Sequence, residues 1–378
     1  MYKQAIRPAW VEINLKNLDY NIKHIKEKAP GRQIIGVIKA DAYGHGAIKC
    51  AEVLRENGVD TFAVATLQEA IELRDAGATE KIIILGLTPD MYADVLVEYG
   101  LTPVVCSIDN AKAISVEAVV AGKVVSALIA VDTGMGRIGY LTDEVDSAIK
   151  EIKEMTYLPG FRIEGLFSHM ATADARDKTF AHEQESKFNN FYMALTRAGI
   201  NLPYRTLANS ASIMELPTVL FDAVRPGIIL YGCYPSDEVD PMQLSIKPVM
   251  SVKANIVHLK DVPERFSVGY GRKYITEKPS RIATLALGYA DGLPRPYSAK
   301  AKVIVNGVLC PVAGNICMDQ VMVDVSAVPN VKVGDQAILM GSDGHISITA
   351  DDIAKATDTI SYEICCAFGQ RLPKVYLK

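Results

Sequence analysis

Lys39 ends the apolar run 34–38 and leads at once into Ala-Asp-Ala-Tyr-Gly-His-Gly46. A lysine amine, with an ordinary pKa of about 10.4, is a poor nucleophile at neutral pH. It becomes reactive where an apolar, cation-rich setting removes its proton, and it can then form a Schiff base with a carbonyl. An isolated lysine at a strand end more often carries its charge out to water. The chemical reading gains from its company. Asp132-Thr-Gly-Met-Gly-Arg137, Ser168-His169-Met170 and Asn209-Ser210 each follow a similar apolar run, and Arg225-Pro226-Gly227 falls within one. Cationic and polar groups therefore recur at what would be one end of a set of strands.

The elements that must position these groups alternate. Short β-rich apolar runs are expected as strands over 34–38, 62–65, 82–85, 102–105, 125–131, 163–167, 205–208 and 223–230. Stretches with helical spacing intervene, for example 17–28, 47–57, 68–76, 143–154 and 178–198. Strands apolar on both faces and separated by helices indicate a parallel sheet. Eight such units fit a (β/α)8 TIM-type barrel better than the alternative, an open doubly wound sheet. A barrel of this kind carries its active site at the C-terminal strand ends, where the groups named above fall. After about residue 240 the pattern changes to strand-like runs over 250–259, 282–287, 302–305, 308–312, 322–325 and 336–340, with one helix near 349–356. Asn306-Gly307 between two of these runs is a hairpin signal. The fold class is thus α/β, a barrel over 12–238 followed by a C-terminal mostly-β domain over 239–378. An N-terminal strand within 1–11 would be returned to that second domain.

Composition narrows the partners. With 40 Lys plus Arg against 44 Asp plus Glu, the chain has no basic excess to attract nucleic acid or an anionic membrane. The longest apolar runs are too short to span a bilayer, and residues 1–10 contain no signal-like apolar core. Seven cysteines, an odd number without a CxxC pair, suit neither a disulfide framework nor a zinc site. A cytoplasmic protein without a metal is expected.

Val37-Ile-Lys-Ala-Asp-Ala-Tyr-Gly-His-Gly46 resembles the cofactor-lysine motif of alanine racemases, which are fold-type III pyridoxal-phosphate enzymes. The resemblance runs along nearly the whole chain. Asp132-Thr-Gly-Met-Gly-Arg-Ile-Gly139, Ser168-His-Met-Ala-Thr-Ala-Asp174, Arg225-Pro-Gly-Ile228, Gly269-Tyr270-Gly271, Gly288-Tyr-Ala-Asp-Gly292, Cys317-Met-Asp-Gln320 and Ser361-Tyr-Glu363 follow in the family's order.

The resemblance implies interconversion of L- and D-alanine by a two-base mechanism on a pyridoxal 5'-phosphate aldimine, supplying D-alanine for cell-wall peptidoglycan. Lys39 would carry the cofactor, and Lys39 and Tyr270 would be the two bases, one on each face of the substrate Cα. Tyrosine, with a pKa near 10, needs a cation nearby to serve as a base, with His169 or Arg225 as the source. Arg225 would face the pyridine nitrogen and, with a pKa above about 12, give it no proton. Tyr43, Ser210, Gly227, Ile228 and Tyr362 would hold the phosphate. His169 and Asn209 complete the expected cofactor set. Arg137, Met318, Tyr270 and Tyr289 would contact the substrate, with Tyr289, Arg295 and Asp174 along the access passage and Asp319 supporting Tyr270 or the entrance. Cys317 is read as a small buried hydrophobe. The resemblance also implies a homodimer whose active sites are shared between subunits.

Two positions depart from the family pattern. Ala130 stands where many members carry a lysine, carbamylated in several, that positions the arginine of the Asp132–Arg137 motif. Arg137 must then be held otherwise, for example by a bound anion such as chloride. Asn315 stands where an arginine is common at the entrance. Rival readings are a basic-amino-acid decarboxylase, a serine or broad-spectrum racemase, and a single-barrel pyridoxal-phosphate carrier. Decarboxylases of this fold lack the Gly-Tyr-Gly tyrosine and the Cys-Met-Asp-Gln context, and the carrier lacks a second domain.

Overall fold

The computed structural model describes residues 7–369 and 371–378, so residues 1–6 of the strand expected within 1–11 lie outside the described residues. Eight parallel strands form a closed ring: Gln33–Val37, Thr61–Val64, Lys81–Ile84, Thr102–Val105, Val125–Asp132, Phe161–Phe167, Tyr204–Thr206 and Ala223–Val224. Val104 opposite Leu128 and Ala223 opposite Gln33 are among the pairings that complete the circle. Ile35, Phe62, Ile82, Val104, Leu166 and Val224 are fully buried, as strands apolar on both faces require. Each such side chain contributes about 1.5–3 kcal/mol.

Helices cover the ring. Leu15–Lys28 begins at Asn14, whose side chain accepts from the Asn17 N–H, and it ends with Lys26 and Lys28 at the carbonyl end, where cations are favoured. Leu67–Asp75 begins with a reciprocal capping box between Thr66 and Glu69.

The last barrel strand differs from the expectation. It ends at Val224, and the residues expected to extend it to 230 turn instead into a 3-10 segment, Ile228–Tyr231. Pro226 lacks the N–H that a ladder needs, so the chain leaves the sheet there. That exit turns Gly227 and Ile228 over the barrel mouth.

The second unit is built on the 13-residue strand Met250–Val262. Antiparallel to it run Ala9–Asn14, Ser280–Leu285 and Gln336–Asp343, and Lys302–Val305 pairs in turn with Gln336–Asp343 and with Val308–Pro311. Ala9–Asn14 lies between Met250–Val262 and the C-terminal strand Lys374–Leu377, with Val11 opposite both Val252 and Lys374. Ala350–Thr357 matches the helix expected near 349–356, and it is followed by a second short helix, Ser361–Ala367, which was not expected. Among the described residues no helix is long and apolar enough to cross a membrane.

Candidate active site

Directly after Ile38 the backbone enters a left-handed turn. Ala40, Asp41, Ala42 and Tyr43 have φ of 51, 51, 56 and 53° in succession. Such a conformation costs roughly 1–2 kcal/mol for each non-glycine residue and survives only where its surroundings impose it. The surroundings are specific. Glu69 of the capping box accepts from the Ala40 N–H at 2.7 Å. Asp41 accepts from the Ala47 N–H at 2.7 Å and from the Lys374 ammonium at 2.8 Å. Gly44 closes the turn against Cys365, whose carbonyl oxygen would lie 2.4 Å from a Cβ at that position. The turn places Lys39 and Tyr43 on a cavity of about 630 Å³ at the C-terminal strand ends.

All nine residues expected to hold the cofactor line that cavity: Lys39, Tyr43, His169, Asn209, Ser210, Arg225, Gly227, Ile228 and Tyr362. Arg137 and Asp174 line it too. The Lys39 amine has no hydrogen-bond partner among the described residues. Burial, reinforced by the positive charge of Arg137, holds its pKa below the ordinary lysine range.

Arg225 is buried at the far side. Its guanidinium donates to Thr206 Oγ1 at 2.6 Å, to the carbonyls of Ser168 and Leu207 at 2.6 and 3.1 Å, and to His169 Nδ1 at 3.2 Å. It also lies 4.6 Å from the centre of the Phe167 ring. Asp222, the carboxylate that a purely structural ion pair would use, is taken by Arg205 at 3.0 Å. Arg225 therefore presents a charge that no carboxylate among the described residues neutralises. Because His169 Nδ1 accepts from it, a neutral His169 carries its proton on Nε2. Burial first, then Arg225 and Arg137, hold the His169 pKa well below the ordinary range.

A Cβ on Gly227 would lie 2.7 Å from the Tyr43 hydroxyl and 3.8 Å from Ser210 Oγ, so the glycine leaves a cradle edged by two hydroxyls. Ser210 Oγ accepts from the Gly227 N–H at 2.9 Å, and the rings of Tyr43 and Tyr362 are 6.1 Å apart. Asn209 is half a capping residue: its Oδ1 accepts from the Ser212 N–H at 3.0 Å. A hydroxyl cradle, a deprotonation-prone amine and an unneutralised guanidinium fit a phosphorylated pyridine aldehyde in chemistry and in order.

Tyr270, Met318 and Tyr289 are elsewhere. They are 70, 53 and 39% exposed and do not line the cavity. Tyr270 opens a 3-10 turn, Tyr270–Arg272, whose first carbonyl accepts from Asn315 Nδ2 at 2.8 Å. Asn315, one of the two departures, thus holds the backbone of Tyr270. The N–H groups of Tyr289 and Ala290 donate to the carbonyls of Cys317 and Met318 at 2.9 and 3.0 Å, which joins the other two into one patch. Asp319 pairs with Arg371 at 2.8 Å. At the other departure, Ala130 is fully buried opposite Phe167, and Arg137 has no hydrogen-bond or ion-pair partner among the described residues. Sequence reasoning missed Glu69, Thr206 and Phe167. The Thr66–Glu69 spacing was a legible capping signal, but nothing in the sequence connects it to Ala40.

A closed parallel barrel with this constellation at its C-terminal mouth, followed by a β domain, defines an enzyme of the barrel class. The model of the alanine racemase N-terminal domain matches residues 13–235, and that of the alanine racemase C-terminal domain matches residues 249–376. The alanine racemase of Clostridium kluyveri is 50% identical over 375 residues, covering 99% of this chain and 95% of the relative. That of Clostridium novyi is 48% identical over 379 residues, covering 100% and 97%. Among solved structures, the alanine racemase of Clostridium difficile 630 superposes with a TM-score of 0.95 at 40% identity, covering 99% of this chain and 96% of that one. This chain belongs to the alanine racemase family, and it is an isomerase, a racemase.

Proposed function

We propose that the chain interconverts L- and D-alanine, with pyridoxal 5'-phosphate held on Lys39 and a proton moved by Lys39 on one face of the substrate and Tyr270 on the other. The observation that carries this reading is the meeting of Lys39, Arg225 and the Gly227 cradle in one cavity. When bound, the cofactor supplies an electron sink that acidifies the Cα–H of an amino acid. Tyr43, Ser210, Gly227, Ile228 and Tyr362 would hold its phosphate through hydroxyls and backbone N–H groups. Arg225 would face its ring nitrogen and, as a guanidinium, would give up no proton to it. His169, which accepts from Arg225, offers its Nε2–H toward the cavity and passes that positive influence to the neighbourhood of the second base.

The lowered pKa of Lys39 keeps more of its amine free of a proton at neutral pH, so that this amine would be available as the base on one face of the substrate. Return of the proton from the opposite face requires a second group, and Tyr270 supplies it. Arg137 and the Met318 N–H bind the substrate carboxylate, with Tyr289 at the passage. Tyr270 and Met318 stand exposed, and neither lines the cavity of its own chain. A homodimer in which each β domain covers the other subunit's barrel brings the two halves together, and two-fold symmetry then makes two identical sites. Working in the cytoplasm, such an enzyme supplies D-alanine for peptidoglycan. A structure of the Bacillus anthracis alanine racemase with bound L-Ala-P, 32% identical to this chain, accords with alanine as substrate.

Borohydride treatment of the protein loaded with pyridoxal phosphate tests the assignment. The label is expected on Lys39 with loss of racemisation in a chiral alanine assay. Labelling of a different lysine, or an unlabelled protein that still racemises alanine, overturns it.

A further inference from the structure

His45 is fully buried two residues after the left-handed run Ala40–Tyr43, and the cavity chemistry above makes no use of it. Its Nδ1 lies 2.9 Å from the carbonyl oxygen of Ala42 and 2.9 Å from that of Tyr43. Both partners only accept, so Nδ1 carries the proton and donates to both. Nε2 is left without a partner among the described residues, although it is buried. Burial pulls the pKa of the ring down to about 4, so the imidazole is neutral at working pH. One face of the ring stacks on Tyr231, with centroids 4.5 Å apart. Tyr231 in turn donates its hydroxyl to the Val37 carbonyl at 2.8 Å and packs against Tyr43, with centroids 5.0 Å apart. Two carbonyls of the turn and the last strand carbonyl before it are thus held by one aromatic pair.

We infer that His45 is a positioning residue for the cofactor site, whose Nδ1–H clamps the Ala42 and Tyr43 carbonyls and so keeps the strained turn that aims Lys39 and Tyr43. The physical reason is that Ala40, Asp41, Ala42 and Tyr43 have no intrinsic preference for positive φ. Glu69 and Asp41 anchor the turn at its start and at its exit; in its second half the Ala42 carbonyl also accepts from the His45 N–H at 3.1 Å, whereas the Tyr43 carbonyl has the His45 ring as its donor among the described residues. A ring fixed by stacking supplies that donor at a set height and loses little freedom in doing so. The inference rests on the reading that Lys39 and Tyr43 hold the cofactor. Its prediction for the backbone does not.

The test compares His45→Asn with His45→Gln. The asparagine amide nitrogen reaches the position of Nδ1, whereas that of glutamine reaches the position of Nε2. Two measurements are made on the full chain. One is hydrogen exchange at the amides of Gly44, His45 and Gly46, which donate to carbonyls within the turn. The other is the dissociation constant of pyridoxal phosphate from its visible absorbance. His45→Asn is expected to stay within about threefold of the unsubstituted chain in both. His45→Gln is expected to exchange at least about tenfold faster at those amides and to bind at least about tenfold more weakly. Equal behaviour of the two variants, whether both intact or both impaired, overturns the clamp. Faster exchange in His45→Gln alone, in a chain whose unsubstituted form binds no pyridoxal phosphate, sustains the clamp while sinking the proposed cofactor.

Discussion

Gly227→Ala isolates the phosphate cradle from the rest of the site. The added methyl would lie 2.7 Å from the Tyr43 hydroxyl, well inside any ordinary contact, and 3.8 Å from Ser210 Oγ, which is comfortable. The φ of Gly227 is −121°, so the clash with Tyr43 is the feature to consider. Tyr43 borders the cavity, so without phosphate its phenol has room to shift away from the methyl. With phosphate bound, it must stay, and either the methyl or the ligand is displaced. Overpacking of this kind costs about 1–3 kcal/mol. At 1.4 kcal/mol per decade, affinity should fall roughly 5- to 150-fold. The assay is titration of the apo-protein with pyridoxal phosphate, followed by visible absorbance, beside a thermal melt of the apo-protein. Weaker binding with a melting temperature within about 1 °C of the parent, equivalent to less than ~1 kcal/mol in a chain of this size, is the expected pair. Binding within twofold of the parent would refute the cradle. A large loss of apo stability would show that Tyr43 is immobile and that the reasoning about its retreat is wrong.

With Ala130 in place, Arg137 has no side-chain partner among the described residues, so chloride is expected to lower the KM for alanine roughly tenfold, the worth of about 1.5 kcal/mol from one charge-assisted hydrogen bond. Ala130→Lys should remove most of that dependence. An unchanged KM between chloride-free and chloride-containing buffers of equal ionic strength counts against it. Tyr270→Phe should slow α-deuterium exchange of L-alanine by about 10²–10⁴-fold, the usual contribution of a general base, while exchange of D-alanine through Lys39 persists. Equal losses from both enantiomers would reject the division of faces.

The barrel was legible because its strands are buried on both faces, and Ile35, Ile82 and Leu166 announce this without help from any partner. The reading failed where tertiary contacts overrule local preference. The run to residue 230 looks like one strand, yet Pro226 ends the ladder and the apolar residues after it pack in a 3-10 turn. The left-handed conformation of Ala40–Tyr43 is illegible from residue type, since it is held by Glu69 and His45 from outside the four residues and by the ties of Asp41 to Ala47 and Lys374. Gly44 and Gly46 hinted only that a turn was near. The cofactor-side residues fell at strand ends, where barrel geometry gathers them. Tyr270 and Met318 belong to turns of the β domain, and no rule of strand order says which barrel they face.

The shared two-base site is tested most directly by subunit complementation. Lys39→Ala and Tyr270→Ala are each made and mixed under conditions where subunits exchange, with hybrid formation verified by differently tagged chains. In a hybrid dimer, one composite site carries both substitutions and the other carries neither. With random exchange, half the dimers are hybrids with one intact site in two, so about one quarter of the parent's specific activity should return. Verified hybrids that recover no racemase activity would contradict a site built from Lys39 of one chain and Tyr270 of the other.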